Sequence, residues 1–303
     1  MVDLSVDLGF LRLKNPVLAA SGTFGYGLEF KPFYDLELLG GFVVKGLYLK
    51  PREGNKPPRL VETPSGLINS IGLQGIGVEA FCKEILPDLA ELKTAIIVNV
   101  CGEEEEEYAL VAEYLSRNKG IAALELNISC PNVREGGKCP AQDPEATYRT
   151  VKKVKQATSL PLITKLSPNV TDITAVALAA VEAGSQAISL INTLLAMAVD
   201  LETRKPKLGN VMGGLSGPAI KPIALRMVFQ VARAVKIPLI GMGGIFSAED
   251  ALEFMMAGAS AVQVGTANFV DPDACLKIIK GLEIWAEKNK VKKISEITGS
   301  LEA

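Results

Sequence analysis

The stretch PLIGMGGIFSAEDALEFMMAGASAVQVGTA, residues 238–267, contains one complete unit of strand, helix and strand. Its two ends, 238–243 and 261–265, are short and almost entirely apolar, which is typical of parallel strands that are covered on both faces. The middle has helical periodicity from Ala248 to Ala257, and Ser247 with two acidic residues after it is a typical helix start. The stretch therefore predicts a parallel sheet with covering helices.

Six further apolar runs of the same kind occur earlier in the chain, at 16–20, 41–46, 95–100, 122–129, 161–166 and 187–192. Helical patterns lie between them at 78–92, 144–157, 172–183 and 220–235, and Asp143 with Pro144 forms a typical start for the second. Eight such β–α units predict an α/β fold, a closed (β/α)₈ TIM barrel that occupies residues 1–303 as a single domain. An open doubly wound sheet is the structural alternative.

The composition is that of an ordinary globular chain, with 48% hydrophobic residues, a net charge of −2 and a pI of about 5.6. A nucleic-acid-binding domain would normally carry a basic stripe. The apolar runs are shorter than the roughly 18 residues of a membrane-spanning helix. The N-terminal sequence MVDLSVDLGF has no positively charged region followed by an apolar stretch, as a signal peptide would. We therefore expect a cytoplasmic protein.

The chain has five cysteines at wide spacings, no CxxC motif and no histidine. This pattern predicts neither a disulfide framework nor a metal site. Without histidine, any acid–base chemistry must use Cys, Lys, Asp, Glu, Tyr or Ser.

Two segments, 47–77 and 193–218, are longer than ordinary loops and rich in proline and glycine, with short β-like pieces. Both follow the carboxyl end of a predicted strand, where barrel enzymes build their sites. Long segments in a compact domain are often lids or binding loops, which predicts β-rich insertions at the C-terminal face of the barrel. The alternative is an added hairpin without chemistry.

Polar residues or glycines end almost every predicted strand, and they would meet at one rim of a barrel. They are Ser21, Lys45, Asn99, Asn127, Lys165, Asn192, Thr193, Gly243, Gly244, Gly265 and Thr266. The glycines after the last two strands would let backbone N–H groups approach an anion, which predicts a ligand with a terminal phosphate.

Lys45 and Lys165 lie within apolar strands, where an unpaired ammonium is costly. Each is therefore expected to face an anionic or electron-rich ligand. Two other interpretations stay open: a lysine that extends to solvent, and a Schiff-base lysine, which would make the protein a lyase.

Motifs along essentially the whole chain resemble those of the class 1 dihydroorotate dehydrogenases. They are ASGTFGYG (20–27), VVKG (43–46), NSIGLQ (69–74), NISCPNV (127–133), KLSPN (165–169), INT (191–193), GGLSGPAIKP (213–222), GMGGI (241–245) and VGTA (264–267). The resemblance implies a barrel that holds FMN at its C-terminal mouth and oxidises dihydroorotate to orotate in pyrimidine (UMP) synthesis.

The resemblance also implies roles for the matching positions. FMN would contact Ser21, Lys45, Gly46, Asn99, Asn127, Lys165, Ile191, Gly217, Gly243, Gly244, Gly265 and Thr266. The substrate would contact Lys45, Asn69, Ser70, Ile71, Gly72, Leu73, Asn127, Asn192 and Thr193. Cys130 matches the catalytic base of class 1, which takes a proton from C5 while a hydride leaves C6, and Lys45 would assist by balancing negative charge on the reduced flavin.

The motifs resemble the NAD⁺-linked 1B subfamily more than the fumarate-using 1A enzymes. This implies a heterotetramer of two catalytic and two electron-transfer chains, in which the partner carries FAD and a [2Fe–2S] cluster. The chain itself has no cysteine cluster for iron–sulfur and no GxGxxG fingerprint, in agreement with that division of labour. A flavin barrel acting on another pyrimidine, a lyase that uses Lys165, and a barrel without catalytic activity are the alternatives.

Overall fold

Eight parallel strands close into a barrel in the computed structural model, which describes residues 2–129 and 140–302. Each strand pairs with its sequence neighbours, and the last pairs with the first. They are β1 Val17–Ala19, β2 Gly41–Leu47, β3 Ala95–Val100, β4 Ala123–Asn127, β5 Leu162–Lys165, β6 Ala187–Leu190, β7 Leu239–Met242 and β8 Ala261–Val264. All eight predicted strands are present, and the predicted (β/α)₈ barrel is confirmed.

Helices follow the strands and cover the outside of the barrel. They are α1 Gly77–Ala80, α2 Leu86–Ala90, α3 Glu105–Ser116, α4 Pro144–Ala157, α5 Ile173–Glu182, α6 Lys221–Ala234, α7 Ala248–Met256, α8 Ala267–Val270 and α9 Ala274–Lys288. Short 3₁₀ helices lie at Leu28–Phe30, Leu36–Leu38, Pro140–Gln142, Pro218–Ile220 and Ile294–Ile297. The connection from β1 to β2 thus contains two 3₁₀ turns.

The helix predicted at 78–92 is interrupted. α1 and α2 are joined by a π-helical turn, Phe81–Ile85, and Pro87 lies in the first turn of α2. Because proline has no backbone N–H and its ring clashes with the preceding turn, a continuous α-helix through this position is unfavourable.

The two predicted helix starts are confirmed. The Asp143 side chain accepts a hydrogen bond from the Glu145 N–H at the start of α4. At α7, Ser247 and Asp250 form a reciprocal capping box. Such caps satisfy backbone donors that the helix leaves free, which fixes where each helix begins against the barrel.

The two long segments form one four-stranded antiparallel sheet at the C-terminal rim, here called the cap sheet. Its strands are Leu194–Met197, Met212–Ser216, Gly66–Asn69 and Leu60–Thr63, in that spatial order. The central pairing joins the segment after β2 to the segment after β6, with Asn69 opposite Gly214. The predicted β-rich insertions are confirmed, and they form one structure.

Two small antiparallel pairs complete the strands, Val6–Asp7 with Arg12–Leu13 and Val199–Asp200 with Lys205–Pro206. The core lies between the strands and the surrounding helices. In one contact, Gly241 of β7 lets the buried Phe254 ring of α7 approach the strand, since a Cβ at Gly241 would lie 2.6 Å from that ring. In the described parts of the chain, no helix has the length and apolar character needed to cross a bilayer.

Candidate active site

The predicted site residues that the structure describes gather at the carboxyl ends of the barrel strands. Asn127 and Lys165 are the last residues of β4 and β5, whereas Lys45 and Gly46 precede the end of β2, which continues to Leu47. Asn99 is the penultimate residue of β3, and the others follow strand ends or lie in the cap sheet and its flanking loop. The mouth of the barrel therefore brings together residues that are far apart in sequence.

The floor of this mouth is formed by the Lys165 side chain. Lys165 is 5% exposed, and its Nζ donates to the Ser21 Oγ at 3.3 Å. Ser21 follows β1, four strands away from β5 in a closed barrel of eight, so the lysine spans the barrel from one side to the other. The Lys165 side chain extends across the mouth and not out to solvent, which argues against the interpretation that this lysine reaches solvent.

Beneath Lys165 lies Glu125, a residue that sequence reasoning did not single out. Its carboxylate is fully buried and lies 3.8 Å from the Lys165 Nζ. It also accepts hydrogen bonds from the Asn99 Nδ2 at 2.8 Å, the Ser189 Oγ at 2.9 Å and the Gln263 Nε2 at 2.6 Å. The Lys165 Nζ therefore lies between this carboxylate and the Ser21 hydroxyl, whereas a Schiff-base lysine must be free to attack a carbonyl carbon. The geometry therefore disfavours the lyase interpretation.

Glu125, Ser189 and Gln263 come from β4, β6 and β8 and form one interior layer, as alternate strands do in such barrels. The sequence does carry a signal for two of them, because Glu125 and Gln263 are polar residues inside otherwise apolar strands. A buried charge is rare unless it is paired.

A second polar group lies at the end of β4. The Asn127 Oδ1 accepts from the Ser129 Oγ at 2.8 Å and from the Asn192 Nδ2 at 3.4 Å. The Asn127 backbone carbonyl accepts from the Tyr108 hydroxyl at 2.9 Å, which ties the strand end to α3. Since Asn192 Oδ1 accepts from the Thr193 N–H, both amides are held in fixed orientations by the protein. A row of carboxamides in fixed orientations suits recognition of a flat heterocycle with alternating donors and acceptors.

Lys45 lies half-buried near the end of β2. Its backbone N–H donates to the Gly25 carbonyl at 2.8 Å, but among the described residues its ammonium has no hydrogen-bond or ion-pair partner. Burial is the main cause that lowers the pKa of Lys45 below the usual 10.5, while nearby Glu29 raises it. A half-buried ammonium without a partner is suited to an anionic ligand.

Gly46 follows Lys45 and packs against the side chains of Asn99, in β3, and Cys101, just after β3. A Cβ at Gly46 would lie 2.7 Å from the Cys101 Sγ and 2.8 Å from the Asn99 Oδ1. Any larger residue would displace Asn99 and with it one donor to the interior carboxylate. Gly46 therefore lets β2 approach the interior polar layer closely.

The glycine loops after β7 and β6 meet each other. Gly244 has a φ of +82°, and a Cβ there would lie 2.8 Å from the Lys221 Cβ and 2.9 Å from the Gly217 carbonyl oxygen. Gly243 has a φ of +120°, and a Cβ there would contact Ile191 at 3.3 Å. On the other side, the Thr266 Oγ1 hydrogen-bonds the Ser216 Oγ at 2.8 Å, which joins the loop after β8 to the cap sheet.

Replacing Gly244 with alanine is expected to lower stability by about 1–3 kcal/mol and to weaken binding of the FMN that the sequence resemblance implies, because alanine disfavours this φ and clashes with α6. Gly9→Ala is the matched control. Gly9 has a similar φ of +78°, but nothing lies within 4 Å of a Cβ there. Fluorescence titration of FMN should show weaker binding only for Gly244→Ala. Equal affinities in both variants would contradict a role for this loop in the binding site.

The predicted substrate loop, residues 69–73, is held by hydrogen bonds to Gly214 of the cap sheet and to Asn55. Asn69 donates from Nδ2 to the Gly214 carbonyl at 3.2 Å within the cap sheet. The Asn55 side-chain amide donates to the Ser70 Oγ, and the Asn55 backbone N–H donates to the Ile71 carbonyl, at 3.0 Å each. Gly72 and Leu73 both have positive φ, +74° and +56°, so the loop turns sharply before it returns to the rim.

Cys130, the predicted base, lies outside the described residues. Among the described cysteines, burial raises the pKa of Cys82 to about 11 and that of Cys275 to about 12. A thiol acts as a base or nucleophile only as its thiolate, so neither of these two side chains is suited to that role near neutral pH.

Comparison with known proteins agrees with this geometry. The profile of the dihydroorotate dehydrogenase family matches residues 3–285. The "Dihydroorotate dehydrogenase B (NAD(+)), catalytic subunit" of Pelobacter propionicus is 57% identical over 300 residues, with 99% of each chain covered. The protein of the same name from Geotalea uraniireducens is 55% identical over 299 residues, covering 99% of this chain and 98% of the relative.

Among solved structures, DHODH from Eimeria tenella in complex with ferulenol superposes with a TM-score of 0.82 at 21% identity, covering 98% of this chain and 88% of that one. At that identity the match supports the barrel fold alone. The family profile and the two relatives extend along nearly the whole chain. This chain is an oxidoreductase that belongs to the dihydroorotate dehydrogenase family.

Proposed function

We propose that this chain is the FMN-containing catalytic subunit of an NAD⁺-linked dihydroorotate dehydrogenase. It oxidises (S)-dihydroorotate to orotate in pyrimidine biosynthesis, in the cytoplasm, and residues 1–303 form its single domain. The observation that carries the proposal is the Lys45 ammonium, which is half-buried at the barrel mouth without a partner among the described residues. Dihydroorotate has a carboxylate that would pair with such an ammonium.

The residues at the mouth fit FMN. A Cβ at Gly22 would meet nothing within 4 Å, so this glycine borders open space, and one at Gly265 would make only ordinary contact with Ala20 at 3.7 Å. Gly243 and Gly244 expose backbone in the left-handed region, where N–H groups are well placed for a phosphate. Residues that would hold the flavin are Ser21, Lys45, Gly46, Asn99, Asn127, Lys165, Ile191, Gly217, Gly243, Gly244, Gly265 and Thr266.

The substrate would bind above this floor. Lys45 would neutralise its carboxylate, and the carboxamides of Asn69, Asn127 and Asn192 would pair with the edge of its pyrimidine ring. Ser70, Ile71, Gly72, Leu73 and Thr193 would complete the enclosure. Lys45 would also balance negative charge that develops during oxidation.

Oxidation of dihydroorotate removes a proton from C5 and a hydride from C6. When bound, FMN would supply the hydride acceptor, at its N5. Cys130 would take the C5 proton from the opposite face of the substrate as a thiolate. The polar cluster of Asn127, Ser129 and Asn192 supports this role, because it would hold the ring in one orientation relative to the base.

The electrons would leave through a second chain. The relatives are named as catalytic subunits of NAD⁺-linked enzymes, which implies a separate partner subunit. We propose that this partner carries FAD and a [2Fe–2S] cluster and that two copies of each chain form a heterotetramer.

A comparison of electron acceptors tests this assignment. With dihydroorotate as donor, the isolated chain should reduce an artificial dye but reduce NAD⁺ only after the partner subunit is added. One orotate should form for every two electrons that the acceptor takes up. Turnover of the isolated chain with fumarate at the rate seen with the dye would contradict the NAD⁺-linked assignment, and direct NAD⁺ reduction by the isolated chain would contradict the need for a partner.

Orotate affinity should depend on pH through Lys45. A bound carboxylate favours the charged ammonium, so affinity is expected to stay constant while Lys45 is protonated in the free protein. It should then fall as pH rises through a pKa that burial has placed below 10.5. Titration of orotate between about pH 7 and 10, followed by the change in flavin absorbance, measures this dependence.

The Lys45→Met variant separates this effect from other titrating groups. It should bind orotate about tenfold to a hundredfold more weakly at pH 7, the loss of one charged hydrogen bond. Its affinity should also lack the alkaline decline. A decline of equal slope in the variant would show that another group is responsible.

A further inference from the structure

Glu125 is a fully buried carboxylate that the proposed reaction leaves without a role. Three neutral donors, from Asn99, Ser189 and Gln263, converge on its two oxygens at 2.6–2.9 Å. The Lys165 Nζ lies 3.8 Å from one of the two Glu125 oxygens, Oε1. Since three donors hydrogen-bond Glu125 and a lysine lies within ion-pair distance, the surroundings of this side chain suit a carboxylate.

The position of this charge relative to the mouth is fixed by the barrel. Glu125 lies two residues before the end of β4, and Lys165 is the last residue of β5. In the register of these strands, Lys165 is opposite Asn127, one inward-facing step above Glu125. Lys165 is therefore an ammonium with a carboxylate below it and the binding site above it.

An ammonium that touches a flavin stabilises the negative charge of the reduced form and raises the reduction potential. A carboxylate on the far side of the same ammonium opposes that effect, and bulk solvent screens it little because both side chains are buried. The effect of Lys165 on the flavin thus depends on the Glu125 carboxylate that lies 3.8 Å from its Nζ.

We infer that Glu125 is a positioning residue that lowers the reduction potential of the flavin through Lys165. It holds the ammonium across the barrel mouth and offsets part of its charge, which keeps the reduced flavin able to pass electrons on. This inference rests on the proposed function, because it requires a flavin above Lys165.

Sulfite binding tests the inference without turnover. Sulfite adds to N5 of oxidised flavins, bleaches the visible band and binds more tightly when positive charge lies near the ring. In purified, flavin-loaded protein, Glu125→Gln should tighten sulfite binding at least tenfold, and the reduction potential measured against a reference dye should rise correspondingly, by about 30 mV per factor of ten for a two-electron couple. Gln263→Met is the matched control, because it removes one neutral donor and keeps the carboxylate.

The outcomes separate the two claims. A wild-type chain that binds no flavin, alone or with its partner subunit, would defeat the proposed function and the inference with it. Flavin-loaded Glu125→Gln with unchanged sulfite affinity, or with the same change as Gln263→Met, would overturn the inference alone and leave the function intact.

If Glu125→Gln does not retain flavin, Ser189→Ala decides the question. Without the Ser189 hydroxyl, Glu125 loses one hydrogen-bond donor, so its negative charge offsets more of the Lys165 charge. Sulfite should then bind about twofold more weakly. Unchanged or tighter binding in that variant would overturn the inference.

Discussion

Replacing Cys130 with serine is expected to slow dihydroorotate-driven reduction of the bound flavin by about 10²–10⁴-fold at neutral pH, the range that general-base catalysis contributes. A serine hydroxyl is too weak an acid to supply an oxyanion base under these conditions, whereas a thiol in a suitable setting ionises near neutrality. Rapid mixing without oxygen, followed by flavin absorbance, measures the rate. Orotate affinity should change little, because the base contributes to proton removal and not to the hold on the pyrimidine edge.

Cys82→Ser is the matched control for this variant. The same change of sulfur to oxygen is made at a half-buried thiol in the π-helical turn, where burial raises the pKa to about 11. Its reduction rate should equal that of the wild type. Equal losses in both variants would trace the effect to folding, and a Cys130→Ser variant that reduces at the normal rate would show that the base is another group.

Replacing Glu125 with alanine is expected to lower the free energy of unfolding by about 3–5 kcal/mol, since removal of one partner leaves a buried charge without compensation. Lys165, 5% exposed, would lose its carboxylate, and the donors of Asn99 and Gln263 would lose their acceptor. Chemical denaturation of the flavin-free protein measures this loss without contributions from cofactor binding.

The same substitution at the surface provides the comparison. Glu113 pairs with Arg117, the residue that follows α3, and their side chains are 49% and 68% exposed. Glu113→Ala should cost about 0.5 kcal/mol or less, as exposed pairs do. A loss below about 1 kcal/mol for Glu125→Ala would contradict a tightly satisfied interior charge.

The strands of the barrel could be predicted because their signal is local. Each run, such as 95–100 or 238–243, is apolar nearly throughout, and this pattern belongs to strands covered on both faces. The helix starts at Asp143 and Ser247 could also be predicted from the sequence, because an N-cap depends only on neighbouring residues. The break at Pro87 could also have been predicted from that residue, but helical periodicity on both sides concealed it.

Two features could not be predicted from local patterns. The cap sheet pairs Asn69 with Gly214, and no short-range signal specifies pairing between segments so distant in sequence. The interior layer was missed because the direction of Glu125 and Gln263 into the barrel depends on strand tilt and register, which only closure of the barrel determines. By contrast, strand-end residues such as Lys165 could be assigned to the mouth once the barrel was predicted.

The most direct test is the visible spectrum of the purified chain, with its partner subunit if flavin requires it, recorded without oxygen before and after dihydroorotate is added. We expect a flavin spectrum whose main band bleaches as one orotate forms per flavin. A bound flavin that reduces with dithionite but is left oxidised by dihydroorotate would contradict the proposed substrate.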